Sequence, residues 1–292
     1  MRGLWRRAVV AGMALALDMI GLRTPRGPRA RYRTSQAVAW LTQRIEPIAR
    51  IGLAGPVAVT GAAMSAVAGR SVEVWERRLP EGLDLLTEAL VLRSALGIEE
   101  VRSAARRVSA ALTQGDLAAA RAAWSESPVL AAVPCEGLGI EELASLATTQ
   151  VAAQTHSRAV APLLYYAVGG LPAALAYHWL SCSAFPRETS RFGHHLRTIT
   201  IGATAWTTAS LMTVAAEICR ADSLGAERVQ RMEGSILKAP AESAPVRVMA
   251  GALRASLADT QGQSVNTTGH AATPSDLKRA GSIAGVTVGL AG

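Results

Sequence analysis

The sequence predicts an all-α fold: a polytopic membrane protein with a helical extramembrane region. Three observations predict it. Residues 51–69, 159–185 and 198–216 contain no Asp, Glu, Lys or Arg. Residues 71–158 repeat their apolar positions at helical spacing. No alternating strand pattern of useful length occurs anywhere in the 292 residues. A helix rises ~1.5 Å per residue, so about 20 apolar residues cross a ~30 Å hydrocarbon core.

The chain reads as one unit, 1–292, with membrane segments at 8–21, 51–69, 159–185 and 198–216. The first follows Arg2, Arg6 and Arg7, and no small-x-small cleavage site comes after it. It is therefore read as a retained segment rather than a signal peptide. It contains Asp18, which costs about 2.5–3.5 kcal/mol at mid-bilayer and fits better near a helix end. The segment 51–69 is closed by Arg50 and Arg70 and carries Ala54, Ala58, Ala62 and Ala66 at spacing four. Such small residues let a neighbouring helix approach. The segment 159–185 is split by Gly169-Gly170-Leu171-Pro172, which predicts a kinked or broken span. Residues 281–292 are too short to span.

Within 71–158, Leu83, Leu86 and Leu90 give one apolar face, and Val101, Ala105, Val108 and Leu112 another, with Arg102, Arg106 and Arg107 opposite. Gly115-Asp116 reads as a cap before a short helix over 117–124, residues 125–139 as a loop, and 140–154 as helix again. Residues 255–277, rich in Gly, Ser, Thr and Gln, read as a polar flexible loop. The stretch 22–50 carries seven Arg against Glu46, and the positive-inside rule puts it in the cytoplasm; the protein itself is expected in the inner (cytoplasmic) membrane.

Composition narrows the function classes. Half of the residues are apolar, 18% are charged, mean hydropathy is +0.22 and net charge is +8. With long apolar runs present, the basic balance points to a lipid bilayer rather than nucleic acid. Cys135, Cys182 and Cys219 are widely spaced, so neither a zinc site nor a disulfide framework is suggested. There is no phosphate-binding loop, no dinucleotide-binding glycine pattern, no H-E-x-x-H and no G-x-S-x-G. His194-His195 point about 100° apart on a helix and do not converge on one ion. Asn266-Thr267-Thr268 is a formal glycosylation sequon, read as a chance match. No catalytic residue and no metal ligand is assigned.

A longer pattern does emerge. Val160-Ala161-Pro162-Leu163-Leu164-Tyr165-Tyr166 followed by Gly169-Gly170-Leu171-Pro172-Ala173-Ala174-Leu175-Ala176-Tyr177 resembles the central signature of the adenosylcobinamide-phosphate synthases of cobalamin biosynthesis. Other pieces occur in matching order: Ala14–Asp18 with Gly21, Leu92-Arg93-Ser94, Gly115–Arg121, Arg191-Phe192-Gly193, Met249–Leu253 and Ser275–Ala280. The resemblance implies an integral membrane protein. It also implies an ATP-dependent amide-forming ligase, joining aminopropanol or its phosphate to a corrin carboxylate with Mg-ATP as cofactor.

The departures fall on polar positions. Ala153-Gln154 stands where the family has E-N, Ser157-Arg158 where it has D-G, and Ser181–Ala184 where it has N-T-L-D. Pro240–Pro245 lacks the Asn and Trp of the family's P-N-A-G-W-P. Asp18, Glu141, Glu142 and Glu217 are the nearest acids, and none takes the place of the missing set. The retained residues specify packing; the lost ones are of the types that hold metal and phosphate. A catalytically silent membrane homologue acting as a binding or assembly subunit is the alternative. Within the retained signature, Arg158, Tyr165, Tyr166 and Tyr177 are the candidate substrate-binding residues, for a corrinoid or an aminopropanol phosphate. Interfacial anchoring by the tyrosines and snorkelling by the arginine is the competing role.

Overall fold

A computed structural model describes residues 2–19, 54–80, 82–127, 130, 133–182, 191–233, 243–258 and 263–292, and these are almost entirely helical. The arginine-rich stretch 22–50 and residues 183–190 and 234–242 lie outside the described residues. The fold is all-α, as the absence of a strand period predicts. The helices are α1 (Arg2–Met19), α2 (Ala54–Glu76), α3 (Leu83–Ala95), α4 (Ile98–Thr113), α5 (Leu117–Ser125) and α6 (Ile140–Thr155). A π-turn at His156–Val160 leads into α7 (Ala161–Cys182), followed by α8 (Arg191–Ile218), α9 (Ser223–Glu233), α10 (Ala244–Leu253) and α11 (Pro274–Ala291). Among the described residues, the helical run Ile140–Ser181 and the helix Ile199–Ile218 are long and apolar enough to cross a membrane, judged by length and composition. These coincide with the expected segments at 159–185 and 198–216.

The chain divides into two units. The first comprises residues 1–97, 161–201 and 292; the second comprises 98–160 and 202–291.

In the first unit, α7 is kinked. Gly170 adopts φ 70°, ψ −161°, and Pro172 follows it inside the helix. Only glycine readily takes such a backbone conformation. Helix α2 packs on α7 through glycine. A Cβ on Gly69 would lie 2.8 Å from the backbone of Pro172, and one on Gly61 would lie 2.1 Å from the Trp179 indole. The close approach therefore runs through Gly61 and Gly69, whereas Ala62 and Ala66 of the expected alanine stripe are only half-buried. The side chains of Ala54 and Ala58 fall outside the description.

Helix α3 reverses its expected orientation. Leu83, Leu86 and Leu90 do share a face, but they are 52%, 37% and 44% exposed, while Glu88, Ala89 and Leu92 are buried. The face that carries a carboxylate turns inward because its partners lie there.

The second unit is built as its sequence predicts over α4 to α6. Val101, Ala105, Val108 and Leu112 are buried in one core with Trp124, Leu143 and Val151. Asp116 caps α5 by accepting from the Ala119 amide at 2.8 Å. Helix α10 is buried at all ten positions from Ala244 to Leu253. It meets α9 at Gly251, where a Cβ would lie 2.4 Å from the Gly225 carbonyl oxygen. The Met249–Leu253 piece of the resemblance is thus a packing element. Gly251→Val is expected to lower the unfolding free energy by roughly 2–4 kcal/mol, read by thermal unfolding.

The expected flexible loop at 255–277 is replaced. Arg254 ends α10 in the left-handed region, φ 55°. Strand β1 (Ala255–Ala258) follows, pairing antiparallel with β2 (Ser264–Val265) and parallel with β3 (His270–Ala271). Residues 281–291, expected to be too short to span, complete the 18-residue helix α11.

Candidate functional site

The most concentrated chemistry lies in the first unit, where α1, α2, α3 and α7 each contribute. Arg6 Nη2 stands 2.9 Å from Glu88 Oε2, 3.1 Å from Asp84 Oδ2 and 3.8 Å from Glu76 Oε2. The Tyr166 hydroxyl donates to Glu88 Oε1 at 2.7 Å, and Tyr166 is fully buried. One guanidinium thus faces three carboxylates. Glu76 is 2% exposed, and its Oε1 has no hydrogen-bond partner. It lies six residues beyond Arg70, which closes the charge-free stretch. Burial, with the neighbouring Glu88 charge, pushes its carboxyl up to about 7; Arg6 opposes the shift.

Beside this cluster, Arg7 repairs the kink. In a regular helix the Ala167 and Val168 carbonyls would accept from residues 171 and 172. Gly170 turns the chain away and Pro172 has no amide hydrogen, so both acceptors are freed. Arg7 Nη1 donates to Ala167 O at 2.8 Å and to Val168 O at 3.0 Å. A cation at the end of a half-helix also faces the negative end of its dipole. Glu73 Oε1 lies 2.6 Å from where a Cβ on Gly170 would be, and Arg70 pairs with Glu73 at 2.8 Å.

The four sequence-predicted residues have distinct surroundings. Tyr166 belongs to the carboxylate cluster. Tyr165 stacks on Tyr177 with ring centroids 4.8 Å apart and donates its hydroxyl to Thr200 O at 2.9 Å. Tyr177 is 2% exposed. Arg158 belongs to the second unit, where its Nε donates to Gln154 Oε1 at 3.0 Å and its Nη1 lies 3.9 Å from Glu100. Arg6, Glu76, Asp84 and Glu88 were missed by sequence reasoning. A periodic acid on α3 (Asp84, Glu88) was the available signal.

The second unit carries two smaller polar arrangements. Asp222 accepts from the Gly225 amide at 2.7 Å and from Arg254 Nε at 2.7 Å, which together hold its carboxyl below the usual range. Asp276 is buried, which alone would raise it. Bonds from the Thr273 hydroxyl at 2.7 Å, His270 Nε2 at 2.9 Å and the Thr273 amide at 3.0 Å reverse the sign and hold it low. A lowered carboxyl contributes stability above its unfolded value of 3.8, and that contribution disappears as pH falls through the lower folded value. Asp276→Ala is therefore expected to cost about 1–3 kcal/mol at neutral pH, with the difference from wild type narrowing in acid, measured by denaturant unfolding across pH. Asn266 uses its side-chain amide on the Ala250 and Ala255 carbonyls at 3.2 and 3.1 Å. The sequon asparagine is thus engaged in the fold.

The resemblance implies Mg-ATP, and the three-carboxylate cluster offers no free metal position. The convergence point of the three carboxylates is taken by Arg6 Nη2. Among the described residues no group of three His, Cys, Asp or Glu is arranged to hold a metal ion.

Comparison with known proteins gives a distant relative. The chain is 29% identical over 208 residues to a cobalamin biosynthesis protein CobD from Geobacter metallireducens. The match covers 68% of this chain and 63% of that relative's length. It supports a distant CobD-like relationship. No family model matches the chain. No solved structure matches it.

Proposed function

We infer that the protein is a multi-pass inner-membrane protein of cobalamin biosynthesis, acting where a corrin carboxylate is amidated with aminopropanol or its phosphate. The CobD-like similarity over 208 residues carries this reading. The order of signature pieces along the sequence supports it.

The membrane part has its own support in the first unit. Met64, Val67, Trp75, Leu83, Leu90 and Val168 are exposed, while Glu76 and Glu88 are buried. That is the reverse of a water-facing surface and suits a hydrocarbon one. Helix α3, at 13 residues, is too short to cross and fits an interfacial position.

A silent binding or assembly subunit is the second reading. It is favoured by one observation: Ala153-Gln154 and Ser157-Arg158 stand where the resemblance expects E-N and D-G. Purified protein in detergent, given adenosylcobyric acid, aminopropanol phosphate and Mg-ATP, separates the two. Formation of the amide product establishes the ligase. Corrinoid binding without product establishes the subunit, and neither binding nor product removes both. Arg158 and Tyr165 are the substitutions to compare, since both are candidate substrate-binding residues and only partly buried.

A further inference from the structure

The second unit holds a groove lined by positive charge. Helices α4 and α11 run antiparallel there. Ser109 Oγ donates to Pro274 O at 3.0 Å at one end, and Arg102 lies on Gly285 at the other. A Cβ on Gly285 would lie 3.3 Å from Arg102 Cζ and 3.5 Å from each of its Nη atoms. The flat face of the guanidinium therefore rests on the glycine, and its N–H edge is left for another group. One turn away, a Cβ on Gly281 would meet nothing within 4 Å, so the floor is open. Helical phase puts Lys278, seven residues before Gly285, on the same edge of α11, and Arg106, four after Arg102, on the facing edge of α4. Both are exposed. Arg106 pairs with Glu99. Among the described residues, Arg102 and Lys278 have no carboxylate partner. Three cations thus line one groove against the single acid Glu99 among the described residues.

We propose that this groove binds the phosphodiester headgroup of an anionic phospholipid, with Arg102 and Lys278 holding the phosphate and Arg106 adding to the field. The chemistry selects an anion. A guanidinium offers a planar pair of N–H donors to a phosphate, and an ammonium supplies a point charge beside it. The setting selects lipid. Ala209, Met212, Ala215 and Ala216 of α8 share one core with Val101 and Ala105 of α4 and Ala280 and Ala284 of α11. The groove is therefore built onto the same unit as residues 202–218 of α8, part of a helix long and apolar enough to cross a membrane. Basic grooves between helices beside a bilayer take anionic headgroups, each cation contributing about fivefold in affinity. The inference rests on the membrane reading and not on the cobalamin one.

The test is native mass spectrometry of the full chain in detergent micelles, titrated with dioleoylphosphatidylglycerol or with dioleoylphosphatidylcholine, whose phosphodiester is balanced by its own cation. Saturable retention of phosphatidylglycerol over phosphatidylcholine is expected. Lys278→Gln and Arg102→Gln should each weaken it by about fivefold. Arg279→Gln, which removes the same charge about 100° around α11, should leave it unchanged. Gly281→Leu, which fills the floor without touching charge, should weaken it too. Lys278 is exposed on a helix surface, so its variant should melt as wild type, and loss of lipid is then not loss of folding. Equal retention of the two lipids, undiminished retention in Lys278→Gln or Gly281→Leu, or an equal loss in Arg279→Gln each overturns the proposal. So does displacement by inorganic phosphate or by an oligonucleotide. The membrane reading is measured separately, as resistance of the protein to alkaline extraction from phosphatidylcholine vesicles. Extraction there removes both, whereas failure of the lipid titration alone removes only the groove.

Discussion

Replacing Arg6 with methionine is expected to lower the unfolding free energy by about 2–3 kcal/mol, among the largest effects for a single side chain in the first unit. Arg6 is itself 41% exposed, which screens part of the effect, but removing it strands the buried Glu76 and Glu88 and the partly buried Asp84 at once. Methionine keeps much of the aliphatic length, so the loss reports charge rather than volume. The effect should depend on pH with a definite sign. Glu76 titrates at about 7 in the folded chain against 4.5 as the reference value. A raised carboxyl value means that the folded state binds the extra proton between those limits. The penalty of burying the charge is therefore absent below about pH 4.5 and complete above about pH 7. Without Arg6, which opposes that shift, the window extends upward, so acidification from neutral pH toward 5 should recover part of the lost stability. Thermal unfolding in detergent at both pH values measures this. A loss below about 1 kcal/mol, or one indifferent to pH, would mean that water already solvates the cluster.

Why this cluster escaped the sequence reading is instructive. Periodicity places Leu83, Leu86 and Leu90 on one side of α3 and Asp84 and Glu88 on others, and that much is local information. Which side faces inward depends on what waits there. Arg6 and Tyr166 lie 82 and 78 positions away from Glu88 in sequence. The usual rule puts the apolar side inward; in the first unit the face inverts, because Glu88 finds Arg6 and Tyr166 inside.

The three short strands were hidden for a different reason. Strands of four, two and two residues are too brief to show alternation. They are held by tertiary bonds, such as Thr149 Oγ1 donating to the Ala258 carbonyl. By contrast, the Asp116 cap, the buried face of α4 and the break at Gly169–Pro172 were legible. Each is encoded within a few residues of where it acts. Of the candidate site, only Tyr166 was legible, through its place in the retained signature.

The break in α7 permits a sharper experiment than the cluster, because its parts can be removed separately. Gly170→Ala is expected to cost about 3 kcal/mol or more. The backbone there is one that side chains rarely adopt, and the new Cβ would meet Glu73 Oε1 at 2.6 Å. Arg7→Ala should cost about 1–3 kcal/mol, because it strands the Ala167 and Val168 carbonyls. If Arg7 acts by substituting for the amide that Pro172 lacks, the two changes must be coupled. Pro172→Ala returns an N–H that can serve Val168 O once the break at Gly170 relaxes, so Arg7→Ala in that background should lose less than in wild type, by about 1 kcal/mol. A double-mutant cycle on unfolding in detergent reads that coupling. Strict additivity would show that Arg7 serves the kink only as a distant charge, and that the freed carbonyls find water instead.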